Sequence, residues 1–222
     1  MNLKVFKKMA SALPSGTDKD YSLLVVANKK LIVSDGIIIV SYNIDEGENK
    51  VGLTPKDFNN LDKFSGETVY FKDKIYIDEE PLEEPKNFLI FNDFDRLYNK
   101  AINDNMHTLP LLKLEECKCE LIAINSFGVH YINDGKIIKS TPLNAPGLLE
   151  TPLGYVSFQY KYFRSLMNVF KYFKIMPVFK FGSSYNIVFE SNKIKGILMQ
   201  YRIVNTKLDL KNAKCLSVSE DW

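Results

Sequence analysis

The chain has 222 residues, of which 45% are hydrophobic and 25% charged, and a formal net charge of +2, the balance of an ordinary globular protein rather than a disordered one. That length suits one large domain or two of about 110 residues, and the small net charge excludes a uniformly basic nucleic-acid binder, leaving local patterning as the only route to such contacts. No apolar run approaches the ~20 residues of a membrane span. The opening residues Met1 to Lys8 lack the apolar core and cleavage site of a signal peptide. Three cysteines, with Cys117 and Cys119 too close for an ordinary bridge, predict a reduced, cytoplasmic setting.

In chain order, an amphipathic helix is predicted over 3–13, with Leu3, Phe6, Ala10 and Leu13 opposing Lys4, Lys8 and Ser11, and Pro14-Ser15-Gly16 ending it. Strands follow at 21–27, 30–34 and 37–43, punctuated by Asn28-Lys29 and Asp35-Gly36. A strand at 50–53 leads into a second helix at Thr54-Pro55, where Thr caps and Pro fits the first turn. There Phe58 and Leu61 oppose Lys56, Asn60 and Lys63. Strands at 68–72 and 74–77 close this half, and the acidic segment 78–85, twice broken by proline, reads as a linker rather than a strand.

The second half repeats the scheme. A strand at 88–91 precedes a helix over 93–103, which should bury Phe94, Leu97, Ala101 and Ile102 and present Arg96, Asn99, Lys100 and Asn103. Strands at 109–115, 120–125, 129–133 and 136–139 and a Pro/Gly-rich loop at 141–154 lead to a strand at 155–158. The fourth helix, 160–173, places Tyr162, Phe163, Leu166, Met167, Phe170 and Phe173 on one side and Lys161, Arg164, Asn168 and Lys171 in a narrow arc on the other. Strands at 176–181, 186–190 and 196–204 precede a polar tail. The recurrence of helix and strands in four units of roughly 55 residues is an internal repeat, and its strand-rich order predicts an α+β fold of antiparallel sheets. The expected layout is two similar domains, 1–80 and 88–204, each with two helices on the inner face, joined by a connector at 81–87 and followed by a tail at 205–222.

All four polar helix faces carry Lys, Arg, Asn or Ser at their centres, while Asp57, Asp62, Asp93 and Asp95 fall at helix starts or flanks. One such face is ordinary solvation; four of one sign fit phosphate contacts without sequence readout. Enzymatic chemistry finds little support. Cys117-Lys118-Cys119 with His107 or His130 gives one ligand pair where zinc needs two, the aspartates near turns are explained by turn chemistry, and no Gly-rich phosphate loop or Ser/His/Asp arrangement stands out. No cofactor or metal is expected. Cys117 and Cys119 should share one face of a strand.

The stretch from Phe6 to Pro14, followed by 23–27, 30–34 and Asp35-Gly36, resembles the opening unit of DNA sliding clamps, and 162–167, 178–181, 186–190 and 196–202 are similar to their closing unit. The hydrophobic strand ending near Met199 and Arg202 is typical of the bacterial beta clamp, whereas the length and two-domain layout resemble T4-type phage clamps and PCNA. The resemblance implies a processivity factor that encircles duplex DNA and tethers a polymerase, with no catalytic group. Six domains per ring imply a head-to-tail homotrimer whose candidate edges are 74–78 and 136–139, opened by a loader ATPase. DNA contacts then fall to Lys4, Lys8, Lys56, Lys63, Arg96, Lys100, Lys161, Arg164 and Lys171. Polymerase and loader peptides would dock beside the 78–85 segment, with Leu82 exposed there, and Trp222 at the tail is a second anchor. The first unit lacks a strand before its helix. A clamp-like regulatory or decoy protein would share the fold without encircling DNA.

Overall fold

In the computed structural model of the chain, the described residues are 1–14, 23–47, 50–83, 94–102, 107–109, 117–143, 153–181, 186–201, 203 and 208–215, with the side chains of 55, 56, 107 and 109 left aside. The predicted strand at 88–91, most of that at 109–115, the loop tip of 141–154 and the end of the tail with Trp222 lie outside them.

The N-terminal half builds from α1 (Leu3–Ala10) and three strands, β1 (Leu23–Ala27), β2 (Lys30–Ser34) and β3 (Ile38–Asn43). Asn28 and Lys29 both take positive φ, 51° and 57°, the backbone of a tight two-residue hairpin whose twist matches its strands, so Ala27 pairs with Lys30. β4 (Val51–Leu53) returns to pair with β1 and feeds α2 (Pro55–Asn59). As predicted, Thr54 caps α2, its hydroxyl accepting from the Asp57 amide at 3.1 Å. A 3-10 turn, Leu61–Lys63, and a second meander of β5 (Val69–Phe71), β6 (Ile75–Ile77) and β7 (Glu80–Pro81) complete the half.

After α3 (Phe94–Ile102) come β8 (His107–Leu109), β9 (Leu121–Asn125), β10 (Gly128–Asn133) and β11 (Lys136–Pro142). β12 (Tyr155–Gln159) feeds α4 (Tyr160–Phe173), and β13 (Val178–Phe181), β14 (Asn186–Glu190) and β15 (Ile194–Met199) follow. The internal repeat is visible in topology. Strand order β4-β1-β2-β3 in the first half matches β12-β9-β10-β11 in the second: a meander, a strand that returns to its first member, a helix and another meander.

One sheet joins the halves. β3 pairs with β15 over five residue pairs, Ile38 to Tyr42 against Leu198 to Ile194, giving the order β4-β1-β2-β3-β15-β14-β13-β8. At this seam a Cβ on Gly196 would lie 2.3 Å from both the Ile39 carbonyl and the Phe189 ring, so only glycine lets the ring cover the joint. One face of the sheet, with Leu24, Val26, Val33, Val40, Phe189 and Leu198, packs on α1 and α4 in a core that also takes in Phe58 of α2. Phe163, Phe170, Phe179 and Phe189 interlock there with ring centroids 5.4–6.2 Å apart, distances typical of offset and edge-on pairs.

The strands' other residues, Val25, Ile32, Val188 and Ile197, form a second core with Phe94, Tyr98 and Ala101. So α3 lies on the opposite face of the sheet from α1 and α4, and the expectation of two helices per half on one inner face fails at this helix. It buries Phe94, Tyr98 and Ala101 and leaves Leu97 40% exposed. It spans the seam: Asp95 accepts from Lys30 on one side, and Tyr98 donates to Glu190 at 3.1 Å on the other.

Three further expectations are corrected. Part of the acidic segment is a strand, since Glu80 and Pro81 pair with β6, with proline on an edge where its missing N–H is tolerated. The stretch 74–78 is therefore not an edge, because β6 lies between β5 and β7, whereas β11 is one. Cys117 and Cys119 precede β9 instead of lying within a strand. The place of a first strand is taken by Met1 and Asn2 beside β5, with Val69 donating to the Met1 carbonyl at 2.7 Å.

The tail is not idle polar chain. Leu210 packs on Ala123 and Ile132, on the side of the four-stranded sheet turned from α4. The buried Asn125 amide donates to the Leu210 and Ala213 carbonyls, both at 2.8 Å, while its oxygen accepts from the Phe127 and Gly128 amides. His130, fully buried beside it, has Nδ1 2.9 Å from the Ser140 hydroxyl. Burial pushes the His130 imidazole below its ordinary value, with the Ala213 backbone opposing. The unfolded chain thus takes up more protons than the folded one as pH falls through about 6.5. Stability should be full above that point and decline below it, by at most about 1.4 kcal/mol per pH unit. Urea unfolding at pH about 7.5 and 5.5 should show this loss in the wild type and a smaller one in His130→Gln.

Candidate nucleic-acid interface

α1 and α4 are neighbours on one face of the eight-stranded sheet, and neither contains an acid. α1 carries Lys4, Lys7 and Lys8, and α4 carries Lys161, Arg164 and Lys171. Their apolar sides are fixed by burial: Phe6 and Met9 on α1, and Phe163, Leu166, Val169 and Phe170 on α4, are at most 1% exposed. The helical period then turns Lys161, Arg164, Asn168 and Lys171 outward, and all four are exposed. Lys4 is exposed and Lys8 half-buried, its ammonium 5.6 Å from the Tyr172 ring of α4, a cation–π contact that ties the two basic stripes together. Lys7 is turned away, donating to the Phe64 carbonyl at 2.7 Å, and anchors α1 to the 3-10 turn.

Cross-links between the halves fix the angle of α4. Tyr162 donates its hydroxyl to Asp35, and Phe173 stacks on Tyr42 at 5.2 Å. Burial and the Asp35 carboxylate hold the Tyr162 phenol well above its ordinary value, so it stays a donor at any physiological pH.

The other sequence-predicted residues separate. Lys63 is exposed on the 3-10 turn, and the Lys56 side chain is outside the described set. Arg96 and Lys100 are exposed on α3, across the sheet from α1 and α4, and are not part of one surface with Lys161. Leu82 is 4% exposed and belongs to the main core. Its amide donates to the Ile75 carbonyl, and the Glu83 amide next to it donates to Asp57 of α2, both at 2.8 Å. It is a packing residue and not an exposed anchor.

A cavity of about 940 Å³ opens beside the first turns of α4. Lys161, Arg164 and Asn168 line it with Lys118, Glu120 and Tyr201 from other elements. Cys117 and Cys119 lie on its wall; burial, followed by the neighbouring Cys117, pushes the Cys119 thiol up to about 12, which keeps it protonated and unreactive at neutral pH. Among the described residues no group of three or more His, Cys, Asp or Glu side chains is placed to hold a metal. Sequence reading overlooked Lys118 and Tyr201, because neither sits on a helix whose period would mark it.

Comparison with solved structures places this architecture. No protein-family model matches the chain, and no curated protein matches it in sequence. The DNA polymerase III beta subunit of Pseudomonas aeruginosa superposes with a TM-score of 0.56 at 12% identity, over 91% of this chain and 65% of that one. The Helicobacter pylori beta clamp, solved with a DNA ligase peptide, gives 0.57 at 14% over 90% and 63%, and the Borrelia burgdorferi beta subunit 0.54 at 13% over 92% and 64%. The chain has the fold of a DNA sliding clamp. It spans less than two thirds of the length of those clamps.

Because Leu82 is core, Leu82→Ala should cost about 2–4 kcal/mol of folding stability. Chemical denaturation checks this; a substitution without effect on the midpoint would restore Leu82 to the surface.

Proposed function

We propose that the chain is a DNA polymerase processivity factor: a sliding clamp that encloses duplex DNA in a ring and tethers the polymerase. The observation that carries this reading is the pair α1 and α4, adjacent on one sheet face with five cations besides the inward-bonded Lys7 and no carboxylate on either helix. Solvated helices usually mix signs. A single-sign surface backed by a rigid sheet suits the evenly spaced phosphates of a duplex, where each contact is weak and independent of sequence. Ring topology, rather than affinity, then retains the DNA, which accords with the small net charge. The roles assigned to Arg96 and Lys100 are withdrawn, and Lys4, Lys8, Lys161, Arg164 and Lys171 remain, with Lys63 flanking them.

Ring closure is read as a homotrimer in which the β11 edge of one chain meets the β7 edge of the next. The charges suit that pairing: Lys136 and Lys139 are exposed on β11, and Asp78, Glu79 and Glu80 are exposed at β7. Such contacts between unlike edges close into rings when the rotation allows it. Polymerase and loader subunits engage the clamp through short peptides, as a ligase peptide engages the Helicobacter pylori clamp. The chain works as a scaffold and performs no chemistry of its own.

Light scattering at micromolar concentration should give three times the chain mass; a monomer at every concentration favours a clamp-like regulator that does not encircle DNA. Reversing Lys161, Arg164 and Lys171 to Glu should shorten polymerase products, most at low salt where screening is least, while the fold persists. The paired reversal Arg96→Glu, Lys100→Glu should leave product length unchanged. Equal lengths for the α4 triple reversal and the wild type at both low and moderate salt would remove DNA from this face.

A further inference from the structure

The cavity beside the start of α4 has a chemistry that phosphate contacts on a duplex do not use. Among the described residues three cations, Lys118, Lys161 and Arg164, line it against one carboxylate, Glu120, so their combined field favours an anion. It also contains an aromatic face. Tyr201 is 43% exposed, yet its backbone is clamped on both sides: its amide donates to the Ser157 carbonyl at 2.8 Å, and its carbonyl accepts from the Ser157 hydroxyl. An exposed ring on a fixed backbone is a stacking platform that loses little entropy when covered, since only two side-chain torsions are free. The opposite wall is equally fixed, because the Glu120 carbonyl accepts from the Tyr160 amide at 2.8 Å and the Glu120 amide donates to Ile132 at 3.0 Å. The Asn168 amide adds donors and acceptors without base discrimination. At about 940 Å³ the space is at the upper end of small-ligand sites, ample for a nucleotide and its flanking phosphates.

We infer that this cavity binds a segment of single-stranded DNA, with an unpaired base stacked on Tyr201 and its phosphates held by Lys118, Lys161 and Arg164. In a duplex both faces of each base are covered by neighbours, so a ring such as Tyr201 can be used only by a base that has left the stack. The location supplies the route. Lys161 and Arg164 belong both to the cavity wall and to the α4 stripe, so a strand leaving a duplex on that stripe enters the cavity without crossing uncharged surface. How the strand arrives rests on the clamp reading; what the cavity holds does not.

The test is fluorescence anisotropy of the full chain with labelled oligo-dT of about twelve nucleotides, within the range of single-strand site sizes. A duplex hairpin and thymidine monophosphate as competitor serve as further arms. Tyr201→Ala should weaken oligo-dT binding about fivefold or more, the low end for one lost base stack, and leave duplex binding unchanged. Tyr201→Phe, which keeps the ring, should behave as wild type and controls for folding. Lys118→Glu should weaken oligo-dT selectively, whereas Lys171→Glu, outside the cavity, should weaken only the duplex. Oligo-dT affinity that is undetectable in the wild type, or unchanged in both Tyr201→Ala and Lys118→Glu, overturns the inference. Displacement by the monophosphate at concentrations equal to the oligonucleotide would assign the cavity to free nucleotides and overturn it as well. Oligo-dT binding that is intact in a chain that stays monomeric at every concentration by light scattering would overturn the clamp reading and leave this one standing.

Discussion

The pairing of β3 with β15 is the constraint on which the rest of the structure depends. It converts two half-chains into one eight-stranded sheet, and so brings α1 from the beginning of the sequence against α4 from near its end. Without that ladder the two basic stripes would belong to separate bodies with no fixed spacing. The glycine at position 196 is part of the same device, since the Phe189 ring occupies the volume a side chain would take. The continuous basic surface of α1 and α4 is thus a by-product of strand pairing on the layer behind it, a common way for a rigid scaffold to position polar groups.

Both faces of that sheet are covered, and the two covers differ in character. α1 and α4 bring large aromatic and aliphatic residues into the main core. α3 brings two stacked rings, Phe94 and Tyr98, 5.8 Å apart, and secures itself by polar contacts at its rim. Glu190 collects several of these: the Lys180 ammonium bonded to it holds its carboxyl below the usual range, and the Tyr98 hydroxyl adds a second bond. Because Asp95 reaches β2 while Tyr98 reaches β14, this helix acts as a brace across the joint between halves. Its Arg96 and Lys100 are exposed on the side of the sheet opposite α1 and α4.

Much of this was legible in the sequence. The 3.6 period located α1 and gave α4 its observed bounds, because their apolar faces are large and uninterrupted. Turn chemistry at Asn28-Lys29 and Thr54-Pro55 fixed two connections. The period of a helix tells which of its sides is buried but not which face of a sheet buries it, and that is why α3 was assigned to the wrong layer. A signal was present: Leu24-Val25-Val26 has no polar alternation and is buried at every position, the mark of a strand covered on both faces. The same holds for Ile122-Ala123-Ile124 and the tail that covers it. Leu82 was misread because flanking prolines and acids suggested a solvent-exposed connector, whereas backbone pairing with Ile75 carries it into the core. Tyr201 and Lys118 are brought to one cavity by long-range packing, which no local pattern encodes.

The seam also has a consequence for how the molecule is made. Its partners are more than 150 residues apart in sequence, as the bond from Ser41 to the Lys195 carbonyl illustrates, so β3 can be completed only after that length of further chain has left the ribosome. At about 5–20 residues per second this is an interval of roughly ten to thirty seconds. Throughout it the nascent N-terminal half carries an open, strongly apolar strand edge, and open edges of this kind recruit other strands. The seam is therefore a point of exposure during synthesis as well as the source of rigidity afterwards.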